Sequence, residues 1–179
     1  MYKDLEGLLF SRAQIEARVR ELGAALTRDY AGREPVCICI LKGATLFFSD
    51  LIRAVDLPLR LDFMSISSYG AATKTSGVVR ILKDLDKDIV GRDVIIIEDI
   101  IDSGLTLSYL VKNLKARGAR SLAVCVLLDK YARREVDLVP DYIGFRIEDR
   151  FVVGYGLDYA EKYRNLPDIG VLRPEVYSA

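Results

Sequence analysis

Apolar residues recur along this chain in two rhythms. Ile15, Val19, Leu22 and Leu26 fall three or four positions apart behind Ser11 and Gln14, which have the spacing of a capping box, and together they predict an amphipathic packing helix. Residues 36–41 are instead a short, unbroken apolar run rich in β-branched side chains. The run stops at Lys42-Gly43, and a helical stretch over about 44–55 follows, so a strand, a turn and a helix are predicted. Residues 59–66 alternate well enough for another strand, and 67–77, dense in Ser, Thr, Gly and Ala, predict a mobile loop. Residues 78–82 predict the strand leaving that loop, and 84–93 a charged surface turn. Four β-branched residues at 94–97 predict a strand buried on both faces and therefore placed in the middle of a sheet.

Beyond that strand, residues 98–106 lead into a helical segment that runs to about Arg117, with Gly118 as its C-cap. Residues 122–128 predict the next buried strand. Short extended pieces at 142–145 and 151–153 belong to a more irregular C-terminal part that covers one edge of the sheet. Strands alternating with helices imply an α/β fold, a mainly parallel twisted sheet flanked by helices. The 179 residues suit one domain, 1–179, large enough to bury a core.

Composition narrows the chemistry. Lys plus Arg and Asp plus Glu number 26 each, so no global field draws the chain to nucleic acid or anionic lipid, and any anion site has to be local. Charges at Lys3, Asp4 and Glu6 break up what a signal peptide would need, and the longest apolar runs are too short for a bilayer. Cys37, Cys39 and Cys125 sit within apolar runs and read as core filler in a reducing cytoplasm. The apolar pair Phe47-Phe48 suits either core or an interface. With no His in the chain, His-based triads and His-ligated metals are excluded, which leaves a carboxylate as the best acid–base candidate.

In folds of this kind ligands gather beyond the carboxyl ends of the strands. The exits are Lys42-Gly43, residues 67–77, residues 98–106 and Lys130. Asp102-Ser103-Gly104-Leu105-Thr106 would place hydroxyls, a glycine and free N–H groups at a helix start, which suits a phosphate; the same residues also suit an ordinary helix cap. Glu98 and Asp99 would repel that phosphate unless a cation intervened, and Mg2+ is the natural choice; alone they would read as a solvated acidic turn. Lys42-Gly43 could meet a second anionic group. No P-loop and no G-x-G-x-x-G follows a strand, so triphosphate and dinucleotide readings lose their main support.

The string from Ile97 to Leu107 resembles the phosphoribosyl-pyrophosphate motif of the type I phosphoribosyltransferases, and more narrowly their hypoxanthine-guanine branch. Leu41-Lys42-Gly43, Ser67-Ser68-Tyr69-Gly70, Lys130, Phe151-Val152-Val153-Gly154-Tyr155, Leu157-Asp158-Tyr159 and Tyr163-Arg164-Asn165-Leu166-Pro167 match in the same order over roughly residues 8–172. The resemblance implies the fold of that family, with a small irregular hood made from N- and C-terminal segments. It implies transfer of a 5-phosphoribosyl group to a 6-oxopurine in purine salvage, giving IMP or GMP and pyrophosphate. By the same resemblance Asp102, Ser103, Gly104, Leu105 and Thr106 hold the 5-phosphate, and Lys42, Gly43 and Arg164 meet pyrophosphate, the first two through a non-proline cis turn. Glu98 and Asp99 take Mg2+, and Asp158 supports a second ion. Lys130, Phe151, Val152 and Asp158 surround the purine, Ser68 and Tyr69 belong to a lid, and Asp102 is the general base, tuned by burial beside Glu98 and Asp99.

Departures from the family pattern are Leu105, where Lys or Asn is common, and Ala71-Ala72 in the lid. The resemblance further implies a cytoplasmic homodimer or homotetramer without membrane or nucleic-acid partners. Two other readings stay open: a xanthine-preferring enzyme, and a regulator that senses phosphoribosyl pyrophosphate and binds nucleic acid through Lys and Arg near 112–120 and 130–134.

Overall fold

The computed structural model describes residues 1–68 and 79–178. In chain order the elements are β1 (Leu5–Phe10), α1 (Arg12–Asp29), β2 (Val36–Leu41), α2 (Thr45–Ala54), β3 (Arg60–Ser68), β4 (Val79–Lys83), β5 (Asp93–Ile101), α3 (Leu105–Ala116), β6 (Ser121–Asp129), β7 (Tyr142–Arg146), β8 (Val152–Val153), β9 (Ile169–Leu172) and α4 (Pro174–Tyr177). Six strands form one sheet in the order β4-β3-β2-β5-β6-β7. All its pairings are parallel except that of β4 with β3.

The side-chain period of two along each strand divides the core between the two faces of this sheet. Cys37, Cys39, Ile95, Ile97, Cys125 and Leu127 point to the face covered by α1 and α2, where they meet Ile15, Val19, Leu22, Leu26, Phe47 and Phe48. Ile38, Ile40, Val94, Ile96, Val124 and Val126 point to the opposite face, against Leu107, Leu110, Val111 and Leu114 of α3. The fold is therefore α/β, with a parallel-dominated sheet flanked by helices, as the patterning predicts. Phe47 and Phe48 belong to the core. The cysteines are buried and free, and burial pushes the thiols of Cys37 and Cys39 up to about 12. Ser11 and Gln14 form the predicted capping box on α1.

Two strands run on by two residues or more past expectation, and two further strands are unexpected. β3 runs two residues further than predicted, to Ser68. β5 runs to Ile101, because Glu98, Ile100 and Ile101 continue its ladder against Val126, Leu128 and Asp129 of β6. Glu98 and Asp99 thus lie inside the strand's last turn of pleat, and only Asp102 to Gly104 form the exit. β1 and β9 have no counterpart among the predicted elements. They pair antiparallel with each other, and β9 pairs with β8, in a three-stranded sheet that joins the two ends of the chain. Only Leu5 of β1 is fully buried, so its sequence carries no alternation to find.

Among the described residues, no helix is long and apolar enough to cross a membrane.

Candidate active site

β5 delivers residues 98–101 and then turns into α3. Gly104 occupies the N-cap position with φ +82°, and a Cβ there would lie 2.8 Å from Val136 Cγ2 and 2.9 Å from Arg134 Cδ, so both conformation and space require glycine. Among the described residues no side chain caps α3. An ordinary helix cap would have supplied one; here the nearest approach is Leu105 N–H to Ser103 Oγ at 3.4 Å. Apart from that long contact, the first turn presents its N–H donors and the positive end of its dipole at the strand exit. Residues 98–104 with Thr106 and Leu107 line a cavity of about 220 Å3 at this point.

At the same cavity stand Glu98 and Asp99. Glu98 Oε1 accepts from Asp99 N–H at 3.1 Å, and Asp99 Oδ1 from Ile100 N–H at 2.7 Å. Among the described residues neither carboxylate has an ion-pair partner. Burial, then the neighbouring charge of Asp99, holds Glu98 well above the usual carboxylate range; burial also raises Asp99, against the pull of its hydrogen bonds. The Lys42-Gly43 turn packs directly on this pair. A Cβ on Gly43 would fall 1.7 Å from Asp99 Oδ2, and one on Gly156 would fall 2.0 Å from the Gly43 carbonyl oxygen. The Leu41–Lys42 peptide is cis, as the resemblance implies.

The cationic side of the site comes from distant parts of the chain. Lys42 Nζ lies 3.0 Å from Glu161 Oε2, and Arg164 Nη2 lies 3.0 Å from Glu161 Oε1 and 2.8 Å from Asp158 Oδ1. Asp158 also accepts from Glu161 N–H at 2.8 Å. Glu161 therefore gathers two cations, and both hold its carboxyl below the usual range, Lys42 first. Arg164 Nε is buried without a hydrogen-bond partner among the described residues. Tyr155, Ala160, Glu161 and Tyr163 all have positive φ, a concentration of non-glycine left-handed backbone of the kind found where function holds a loop in an uncommon shape.

On the remaining side, Lys130 is 8% exposed, with Nζ 3.5 Å from Asp149 Oδ1. Arg133 reaches the same oxygen at 3.5 Å and Asp102 Oδ1 at 3.3 Å. The expectation that burial tunes Asp102 is corrected here: its side chain is 45% exposed, and its charged neighbour within ion-pair distance is the Arg133 guanidinium. Asp102 Oδ1 itself is covered and makes no hydrogen bond among the described residues, the Arg133 contact being an ion pair only. Phe151 is 37% exposed, stacked on Tyr177 with centroids 4.7 Å apart and met edge-on by Tyr159 at 5.6 Å. Val152 is buried in β8. Ser68 ends β3, whereas Tyr69 and the rest of the anticipated lid lie outside the described residues.

The structure thus brings Lys42, Gly43, Glu98, Asp99, Asp158 and Arg164 into one linked group, and Asp102 and Lys130 into a second through Arg133 and Asp149. Sequence reasoning missed Glu161, Arg133, Asp149 and Gly156. Their role rests on contacts between residues far apart in the chain, and positive φ at Ala160 and Glu161 leaves no mark in residues other than Gly or Asn. A larger cavity of about 740 Å3, between α1, α2 and residues 165–167, contains none of the predicted site residues.

The chain is similar to known proteins over its whole length. A bifunctional protein TilS/HprT from Listeria monocytogenes is 54% identical over 99% of this chain, which spans only 28% of that relative's length. The hypoxanthine-guanine phosphoribosyltransferase of Bacillus subtilis is 54% identical over 100% of this chain and 99% of its own. A hypoxanthine phosphoribosyltransferase from Staphylococcus aureus superposes with a TM-score of 0.97 at 50% identity, covering 100% of this chain and 97% of the other. Residues 9–160 match the family model described as the phosphoribosyl transferase domain, and the chain belongs to that family.

Proposed function

We propose that this chain transfers the 5-phosphoribosyl group of phosphoribosyl pyrophosphate to hypoxanthine, and to guanine, releasing pyrophosphate. One observation carries the reading: an acid pair without a cation partner and a helix start without a cap share a single cavity. Full-length relatives bearing that enzyme name support it and favour neither the xanthine-preferring nor the nucleic-acid-binding alternative. We read residues 1–179 as one domain with the small sheet as its hood, acting in the cytoplasm as a homodimer or homotetramer; free, buried cysteines fit that compartment.

Mg2+ fits the donor set. Among the described residues no group of three or more His, Cys, Asp or Glu could hold a metal, so an ion at Glu98 and Asp99 would complete its shell with substrate oxygens and water, the habit of Mg2+. Asp158, committed to Arg164 and Glu161 N–H, would support a second ion only through water. Bound there, Mg2+ would offset charge on the departing pyrophosphate.

The protein's own groups do the rest. N–H donors of Ser103, Gly104, Leu105 and Thr106 grip the 5-phosphate at the positive end of α3. Lys42 and Arg164, both paired with Glu161, would exchange that carboxylate for pyrophosphate oxygens. Phe151 offers the ring face not taken by Tyr177 to the purine, Val152 pairs its edge, and Lys130 donates to the 6-oxygen. A buried donor there disfavours adenine, whose 6-amino group would face it unmatched. As N9 of the purine bonds to ribose C1 and the C1–O bond to pyrophosphate breaks, Asp102 takes the proton from N7. Ser68 and Tyr69 would close over the centre and exclude water.

The test is a spectrophotometric assay with hypoxanthine, guanine, xanthine and adenine, each with and without Mg2+. Turnover of hypoxanthine and guanine that vanishes with chelator is expected; turnover of adenine at the same rate, or none with any base, rejects the reading. Lys130→Ala is expected to weaken purine binding more than sugar-phosphate binding.

A further inference from the structure

Three consecutive carbonyls of the phosphate loop are taken by one short segment that follows β6. Lys130 N–H donates to Ile101 O at 3.0 Å and Glu135 N–H to Ser103 O at 2.9 Å, while the middle one, Asp102 O, accepts from Arg134 Nε at 3.3 Å. We propose that Arg134, anchored by Asp129, is a positioning residue for residues 102–104; the proposal rests on the reading of that loop as the 5-phosphate site.

The geometry follows from peptide planarity. In a trans peptide the C=O and the following N–H point in opposite directions. Fixing the carbonyls of 101, 102 and 103 toward the 130–135 segment therefore turns the N–H groups of Asp102, Ser103 and Gly104 the other way. The 220 Å3 cavity is lined by 98–104, 106 and 107 and by nothing from 130–138, so it lies on that other side. Consecutive N–H groups facing one concavity are what an anion binds. Two of the three pins are backbone groups, which every residue type supplies. Only the middle one depends on a side chain.

Arg134 is built for this task. Its side chain is 15% exposed, and its planar fork reaches three acceptors: Asp102 O, the Leu138 carbonyl and Asp129 Oδ1, the last at 2.5 Å. Asp129 is buried at the end of β6, with Arg146 Nε at 3.7 Å as its second cation. A Cβ on Gly104 would fall 2.9 Å from Arg134 Cδ, beside Val136 Cγ2 at 2.8 Å, so the Arg134 stem helps bound the helix start sterically. For stability alone an apolar pair would serve as well, since burying two charges costs desolvation. Lys could keep the Asp129 pair but, as a point charge without a rigid fork, not all three directions together.

Arg134→Lys, Arg134→Gln, and Asp129→Asn combined with Arg134→Gln would separate positioning from mere stability, since the double variant buries no unpaired charge. For each, affinity for phosphoribosyl pyrophosphate by calorimetry, KM for hypoxanthine, kcat and Tm are measured, with binding recorded below each variant's melting transition. The expected result is an affinity loss of about tenfold for the sugar substrate in Arg134→Gln, with the hypoxanthine KM within about twofold of wild type. Arg134→Lys should fall between, and the double variant should regain Tm without regaining sugar-phosphate affinity. Wild-type affinity in Arg134→Gln or in Arg134→Lys, or recovery of affinity together with Tm in the double variant, overturns the proposal. Wild-type protein that binds no phosphoribosyl pyrophosphate would instead reject the functional reading beneath it.

Discussion

The two ends of β5 carry acidic residues in opposite states. At its start, Asp93 is 2% exposed and fully provided for: the Arg120 guanidinium grips both its oxygens, Ser121 Oγ donates at 2.6 Å, and the Arg120 bond holds its carboxyl down at about 2. At its end, Glu98 and Asp99 share a cavity with an uncapped helix, have no cation partner among the described residues, and are held above the usual range by burial. Same strand, one chemical class of side chain, Asp93 the more enclosed of the three; the difference lies in whether the fold supplies the counter-charge. Where it does, the acid belongs to the scaffold. Where it does not, the acid pair is open to a ligand that brings its own cation, as proposed above.

The contrast is sharpened first beyond the strand's end. Asp102→Asn should lower kcat by about 100-fold or more, the scale of a lost general base, while sugar-phosphate binding by calorimetry stays close to wild type. An unchanged rate would remove Asp102 from the base role. The other end answers differently: Asp93→Asn should cost about 2 kcal/mol in denaturant unfolding, through its charged hydrogen bonds, and leave the hypoxanthine kcat/KM unaltered. If Asp93→Asn lost activity while keeping stability, the scaffold-versus-site distinction would fail.

pH gives a third handle. A carboxyl depressed in the folded state binds fewer protons there than when unfolded, so its stabilisation is present above the unfolded value near pH 4. It should be lost as pH falls toward about 2, and the stability gap between wild type and Asp93→Asn should close over that interval. A gap that persists at pH 2 would assign it to packing. The smallest effect on stability is expected at Glu98→Gln, which removes one of two adjacent like charges and should raise the stability of the protein without substrate by about 1 kcal/mol. A destabilised Glu98→Gln would show that the pair is internally satisfied.

Much of the scaffold was legible in the sequence because its signals are local. Ser11 and Gln14 announce α1, the run from Val36 to Leu41 announces β2, and four β-branched residues place β5 at mid-sheet. The strand exits follow from that order, so the loop at 102–106 and the acids beside it could be named before any coordinates. Less visible was β1, whose residues pair with β9 across most of the chain and show no periodicity of their own. Nor could the end of β5 be read, since Glu98 and Asp99 are unusual strand residues kept extended by pairing with β6.

What the residues determine by themselves is which chemistry is possible: phosphate recognition at a glycine-bearing helix start, acids suited to Mg2+, and no histidine to offer an alternative base. What only the tertiary structure decides is who meets whom. Lys42 meets Glu161, Arg133 meets the Asp102 carboxylate, and Arg134 meets the Asp102 carbonyl. Local patterns record the conformation of each segment, whereas these partnerships arise when the sheet brings together strand exits separated by many residues, and nothing in either segment alone specifies the distance between them.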